Sequence, residues 1–343
     1  MANSISVCMI VRNEEKRLKR CLDSLQPLEP KEIIVIDTGS IDETVKIARN
    51  YGGITLLRFS WEDDFSRARN AALNTALGDW ILSIDADETL DPEGIPAIKK
   101  AINDKKAVLF LMQMIDTVEA PSRVPRLFRN DPAIKFRGRI HETVIVTAEK
   151  YGKEHGMKFK FLDAKLHHDG YGLAERERKS PMYENLYMAA LKDDPKSISV
   201  WFHYGLFCLS RRKGIQADLA LSEAVRFVKE KQALDPEAIR GIPLYADAVA
   251  YHALFLMETN RFKEAISQVV WSQKKLMGTP FLLFIAGRVA LLLKQYDQAL
   301  KAFMAVKDWG TKNVGVAVRQ DQLENAIALA EKGRKKIWTP GDP

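Results

Sequence analysis

Residues 32–51 read EIIVIDTGSIDETVKIARNY, and the change of rhythm inside this stretch decides the architecture. Glu32–Asp37 is a short, continuously apolar run ending on a carboxylate. Thr38-Gly39-Ser40 turns the chain, and Asp42–Tyr51 continues at helical spacing with Ser40 or Asp42 as N-cap. The alternation extends in both directions. Ser4–Val11 (SISVCMIV) predicts a strand before a helix over Asn13–Leu25. Ile54–Phe59 (ITLLRF) predicts a strand before a helix over Phe65–Leu77, and Trp80–Asp85 (WILSID) a fourth strand. Runs that are apolar throughout belong to a parallel sheet covered on both faces by crossover helices. After Val108–Met114 the pattern loosens, with short β-like pieces expected at Glu142–Val146 and Lys158–Leu162. The expected fold class is therefore α/β over residues 1–170, with a Rossmann-like, mostly parallel sheet.

From about Tyr171 only helical patterns follow, and residues 171–343 form the second expected domain. Gly205, Ala253 and Gly287 each stand twelve residues before a small residue, Ala217, Ala265 and Ala299. Each of these is followed four residues later by an apolar one, Leu221, Val269 and Phe303. Small residues at such positions let paired helices approach closely, as in tetratricopeptide repeats, although the spacing is irregular and a generic helical bundle shares it.

The composition is that of an ordinary globular protein: 343 residues, 46% hydrophobic and 28% charged. Cys8, Cys21 and Cys208 are scattered without CxxC spacing, which predicts buried thiols of a reduced compartment. MANSISVCMIV lacks a basic n-region and a cleavage site, and the apolar stretch Phe281–Ala286 with Val289–Leu293 is too short to span a bilayer. A cytoplasmic protein that is not transmembrane is expected. The net charge of +7 lies wholly in residues 171–343, with 26 basic and 19 acidic residues against 26 and 26 before them. No zinc-finger spacing, aromatic RNP pattern or helix-turn-helix accompanies it, so nucleic acid is not an expected partner. The basic excess suits an acidic acceptor or contact with a membrane surface.

In an open α/β sheet, ligands bind beyond the carboxyl ends of the strands. Two strands end there in Asp. Asp37 opens D-T-G-S, which alone matches the aspartic-protease motif, but that chemistry needs two such carboxylates and the chain has one. Asp85-Ala86-Asp87-Glu88 is sharper. In extended geometry Asp85 and Asp87 point the same way and reach one ligand, and paired carboxylates repel least around a hard divalent cation that also bridges phosphate oxygens. Leu90 stands where an EF-hand loop needs Gly, and Ile145 where a zincin needs its second His.

The segments SVCMIVRNEE, EIIVIDTGSIDET, FSRARNAAL and DWILSIDADETL occur in this order within residues 4–90. Together they resemble the nucleotide-sugar-binding half of family 2 glycosyltransferases of GT-A fold, over about the first 170 residues. RLFRND, RGRIHE and HHDGY, with helical repeats behind them, resemble the bacterial subgroup that carries a C-terminal tetratricopeptide-like domain. That subgroup includes lipopolysaccharide-core glucosyltransferase relatives and bacteriocin peptide S-glycosyltransferases. The resemblance implies a metal-dependent, inverting transfer of a hexose from a nucleoside-diphosphate sugar, with a UDP-sugar as the expected donor and a glycan, lipid-linked sugar or peptide as acceptor. It places Val11, Asn13 and Glu15 in the nucleotide pocket, Asp37 on the uracil edge, and Arg69 and Asn70 beside the nucleotide. Asp85 and Asp87 would hold Mn or Mg, joined by His168. On chemical grounds Arg123, Arg126, Arg129, Arg137 and Arg139 could partly neutralise the departing diphosphate; most read equally as surface residues or sheet salt bridges, and Arg126 and Arg129, in RLFRN, are the first to test. Glu142, in RGRIHE within the expected acceptor region, is the candidate for the base that activates the acceptor, and a salt-bridging Glu on a surface strand is its other reading. The helical domain would hold the acceptor or form a homodimer. A catalytically inactive scaffold that binds a partner protein is the alternative. A dinucleotide oxidoreductase is excluded, since VRNEE replaces GxGxxG after the first strand.

Overall fold

A computed structural model describes residues 3–116, 122–169, 173–237, 242–312 and 318–337. It divides into two compact units, Met1–Ala190 and Leu191–Pro343.

The first unit is built on one eight-stranded sheet. Its strands are β1 (Ile5–Val11), β2 (Glu32–Asp37), β3 (Ile54–Arg58), β4 (Trp80–Ser83), β5 (Glu88–Leu90), β6 (Ala107–Asp116), β7 (Ser122–Arg129) and β8 (Lys158–His168). Their order is β3-β2-β1-β4-β7-β6-β8-β5. The first four strands are parallel. β7 runs antiparallel to both β4 and β6, β6 is parallel to β8, and β5 is antiparallel to β8. The sheet is thus mixed, with its parallel half where the sequence places it. Val7 and Met9 enter one core with Leu18, Leu22 and Trp80, while Cys8 enters the other with Ile34, Ile81 and Phe128. Alternate residues of one strand therefore feed two cores, which is why the run carries no polar alternation.

The helices of this unit are α1 (Leu18–Leu25), α2 (Thr44–Tyr51), α3 (Phe65–Leu73), α4 (Ile95–Ala101) and α5 (Ile145–His155), followed by α6 (Leu173–Asp193). Two expectations need correcting. The helix expected from Asn13 begins only at Leu18, because Asn13 takes a left-handed φ of 58°. The β-like piece expected at Glu142–Val146 is a loop with one isolated bridge, Thr143 to Arg137, that runs into α5 at Ile145. Its Val-Ile-Val run favours a strand locally, but Val144, Ala148 and Gly152 are buried at a spacing of four, and this helical face prevails. The expected boundary at residue 170 lies outside the described residues. The units part after Ala190, within α6, because Tyr183 and Tyr187 of that helix dock on the sheet unit.

The second unit contains α7 (Ile198–Ser210), α8 (Gly214–Leu234), α9 (Pro243–Glu258), α10 (Phe262–Lys275), α11 (Pro280–Leu292), α12 (Tyr296–Lys312) and α13 (Gln320–Ile337). The faint repeat marks where these helices pair. Ala217, Ala265 and Ala299 are fully buried. A Cβ at Gly205 would stand 2.7 Å from Leu221 of α8, and one at Gly287 only 2.3 Å from the Phe303 ring of α12. A side chain at either position would force its neighbour to move. Cys8, Cys21 and Cys208 are buried free thiols. Among the described residues no helix is long and apolar enough to cross a membrane.

Candidate active site

β1 and β2 end side by side, with Val11 opposite Asp37. The loops beyond them interlock. The Asn13 N–H donates to Ser40 Oγ at 2.9 Å, and Asn13 Oδ1 accepts the Ile41 N–H at 2.8 Å. The Glu14 N–H donates to Thr44 Oγ1 at 2.7 Å, and the Glu15 N–H to Asp42 Oδ2 at 3.2 Å. Glu15 returns a bond through Oε2, which accepts the Glu43 N–H at 3.1 Å. Asp37 is 3% exposed, and its carboxylate accepts the Ser40 N–H at 3.0 Å. Asn13, Glu15 and Asp37 thus build the walls of the strand-end crevice with their own oxygens.

The acidic turn follows β4, two strands from β2. It is not extended, contrary to what its i, i+2 spacing implies. The Glu88 N–H donates back to Asp85 O at 3.0 Å, closing a four-residue turn. Asp85 and Asp87 therefore diverge. Asp85 accepts Arg69 Nη2 on Oδ1 at 2.8 Å and Arg126 Nη2 on Oδ2 at 2.9 Å. Arg69 also pairs through Nε with Glu142 Oε1 at 2.6 Å, and Arg126 pairs with Glu88. The result is an alternating chain, Glu142–Arg69–Asp85–Arg126–Glu88. Burial opposes the charge on Asp85, but the two arginines outweigh it and hold its carboxyl well below the usual range. Burial pushes Glu88 up, against the pull of Arg126 and with help from the Asp85 charge. Arg126 Nε is buried with no hydrogen-bond partner among the described residues.

Asp87 turns the other way. β5 pairs with β8 so that Glu88 lies opposite His168, and His168 Nε2 comes within 3.4 Å of Asp87 Oδ2. His167, its neighbour on the strand, faces the opposite side and reaches Asp91 at 3.1 Å. Among the described residues no group of three or more His, Cys, Asp or Glu side chains forms a metal cage. One carboxylate and one imidazole fit a manganese or magnesium ion that completes its shell with phosphate oxygens and water. Asp85 carries an arginine on each oxygen in this structure.

Other expected residues hold the frame. Asn70 forms a two-point clamp: its Nδ2 donates to Phe136 O at 3.0 Å, and its Oδ1 accepts the Phe136 N–H at 2.9 Å. Its carboxamide thus positions the segment leading to Glu142. Arg129 lies away from the acidic turn. It donates to Ala107 O and Asp104 O and covers the Trp80 ring.

Four residues escape a reading by motif. Glu88 is 2% exposed and accepts the Asp85 N–H at 3.0 Å; it follows the DxD pair without belonging to it. His141 adopts a φ of 54° and meets the Tyr187 hydroxyl through Nε2 at 2.7 Å. Tyr183 stacks on Phe65 with centroids 6.5 Å apart. Neither tyrosine belongs to a motif, and a helical period says nothing of which neighbour it covers.

Residues 6–166 match the model of glycosyl transferase family 2. The chain is 45% identical over 143 residues to a TPR repeat-containing protein of Synechococcus elongatus, covering 41% of this chain and 35% of that protein. It is 32% identical over 216 residues to the SPbeta prophage-derived glycosyltransferase SunS of Bacillus subtilis, covering 59% of this chain and 48% of SunS. The chain thus spans between a third and a half of the length of these relatives. Among solved structures, S. aureus TarS 1-349 in complex with UDP-GlcNAc is 17% identical with a TM-score of 0.43, covering 97% of this chain and 92% of that one. The chain carries a glycosyl transferase family 2 domain over residues 6–166.

Proposed function

We propose that the chain is a metal-dependent, inverting hexosyltransferase that takes its sugar from a UDP-sugar donor and passes it to a glycan, lipid-linked or peptide acceptor. The observation that carries this reading is the Asp87–His168 pair, 3.4 Å apart, beside the Arg69–Asp85–Arg126 chain at the strand ends of a family 2 domain. Asp87 and His168 would hold a divalent manganese or magnesium ion, which supplies charge neutralisation at the leaving diphosphate. Arg126 and Arg69 add fixed positive charge on the side of that leaving group. Glu142, oriented by Arg69 at 2.6 Å, accepts the proton of the acceptor nucleophile. The nucleophile bonds to the anomeric carbon as the bond from that carbon to the β-phosphate oxygen breaks, which inverts the centre. The interlocked 13–15 and 40–44 loops, with Val11 and Asp37 between them, form the nucleoside side of the crevice. The helical unit is the place for the acceptor or for a second copy of the chain.

Hydrolysis of a panel of UDP-, GDP- and dTDP-sugars, with and without manganese, tests the reading. Manganese-dependent release of UDP is expected, and Asp87→Ala should abolish it. Full activity in that variant overturns the metal assignment, and no turnover of any donor by the unmodified chain overturns the function.

A further inference from the structure

Helix α6 begins beyond the matched family span, which ends at residue 166, yet it meets the candidate site at two points one turn apart. Tyr187 anchors it, with its hydroxyl 2.7 Å from His141 Nε2 and the rings 5.7 Å apart. His141 is the residue before Glu142, so this contact fixes the helix against the loop that carries the candidate base. Tyr183 lies four residues earlier, hence on the same helical face, and its ring stacks on Phe65 at an interplanar angle of 25°. Phe65 and Arg69 are in turn four residues apart on α3. Tyr183 thus packs one turn of α3 away from Arg69, whose guanidinium pairs with Glu142.

The ring of Tyr183 is half-buried, and its hydroxyl has no hydrogen-bond partner among the described residues. The carboxylates whose fields reach it come from three separate segments. Glu14 belongs to the loop after β1, Asp85 and Asp87 to the acidic turn, and Glu142 to the loop before α5. Burial, reinforced by these four negative charges, raises the phenol above its ordinary value, so the group remains an O–H donor. A neutral donor stacked on Phe65, one turn of α3 from Arg69, and within the fields of carboxylates from the loop after β1 and from the acidic turn, is a candidate partner for the diphosphate of a nucleotide sugar.

We propose that Tyr183 is a donor-binding residue whose hydroxyl donates a hydrogen bond to a diphosphate oxygen of the bound nucleotide. This inference rests on the nucleotide-sugar reading above and adds a contact from outside the family domain. Isothermal titration of the full chain with UDP and with UMP, each with manganese, separates the two ideas. In Tyr183→Phe the Phe65 stack and the Tyr187–His141 anchor remain, and an unchanged melting curve would verify this. UDP affinity should then fall about tenfold, as for a hydrogen bond to a charged acceptor, while UMP affinity stays the same. Unchanged UDP affinity overturns the inference, as does an equal loss for UDP and UMP, since the hydroxyl would then not be reading the diphosphate. If the unmodified chain binds UDP, the donor reading stands whatever the variant does. If it binds neither UDP nor GDP nor dTDP, the donor reading falls and takes the inference with it.

Discussion

Replacing Arg126 by Met is the most demanding test of the alternating chain at the site. Arg126 bridges Asp85 Oδ2 at 2.9 Å and Glu88, and its side chain is 15% exposed. The substitution keeps most of the volume and removes the only cation that contacts Glu88 among the described residues. Glu88 is 2% exposed, so water cannot take the place of the arginine. Breaking a buried pair from one side costs roughly 3–5 kcal/mol, because the carboxyl left behind must stay charged without a partner or take up a proton. For a unit of this size that lowers the melting temperature by roughly 6–20 °C. Scanning calorimetry in metal-free buffer reads the shift directly. Adding Glu88→Gln removes the stranded carboxyl while leaving an oxygen to accept the Asp85 N–H, so R126M/E88Q should regain about 1–3 kcal/mol over R126M alone. A loss below about 1 kcal/mol in R126M, or a double variant no more stable than the single one, would refute the view that these charges hold one another in place.

Two further outcomes concern the helical unit. Gly287→Ala puts a methyl 2.3 Å from the Phe303 ring and should cost about 1–3 kcal/mol by overpacking, with partial recovery when Phe303→Leu is added; thermal melts of the three variants check this. Burial lowers the imidazoles of His252 and His203, in the first case against the pull of Asp218. A lowered folded-state value means that the unfolded chain binds the proton more tightly. Stability is therefore fully present above the unfolded value of about 6.5 and is lost as the pH falls below it. Melts between pH 7.5 and 5 should show this decline, His252→Gln should flatten it, and a melting temperature that rises on acidification would contradict the assignment.

The parallel half of the sheet was legible because its strands are buried on both faces, and that environment leaves continuous runs such as Ile33–Ile36. The Gly/Ala spacing of the helical unit was legible for a related reason: close approach between helices leaves little room for a side chain at Gly205 and Gly287. The loop around residues 138–144 was not. Gly138 and His141 both take positive φ, and Thr143 makes an isolated bridge to Arg137, so no periodic pattern governs the segment. The acidic turn was half legible. Its carboxylates could be picked out as candidates, but their partners come from α3, β7 and β8, which are remote in sequence. Hence the arginines on Asp85, the clamp formed by Asn70 and the tyrosines of α6 emerge only from tertiary packing.

The reciprocal bonds between residues 13–15 and 40–44 limit how this unit can change over time. Neither loop can gain or lose a residue alone, because every position in one is registered against a backbone or side-chain group of the other. Length variation in this half of the unit should therefore be channelled elsewhere, for example into the Gly52-Gly53 turn, where a Cβ on either glycine would meet no atom within 4 Å. The crevice would keep its shape while the surface around it diversifies.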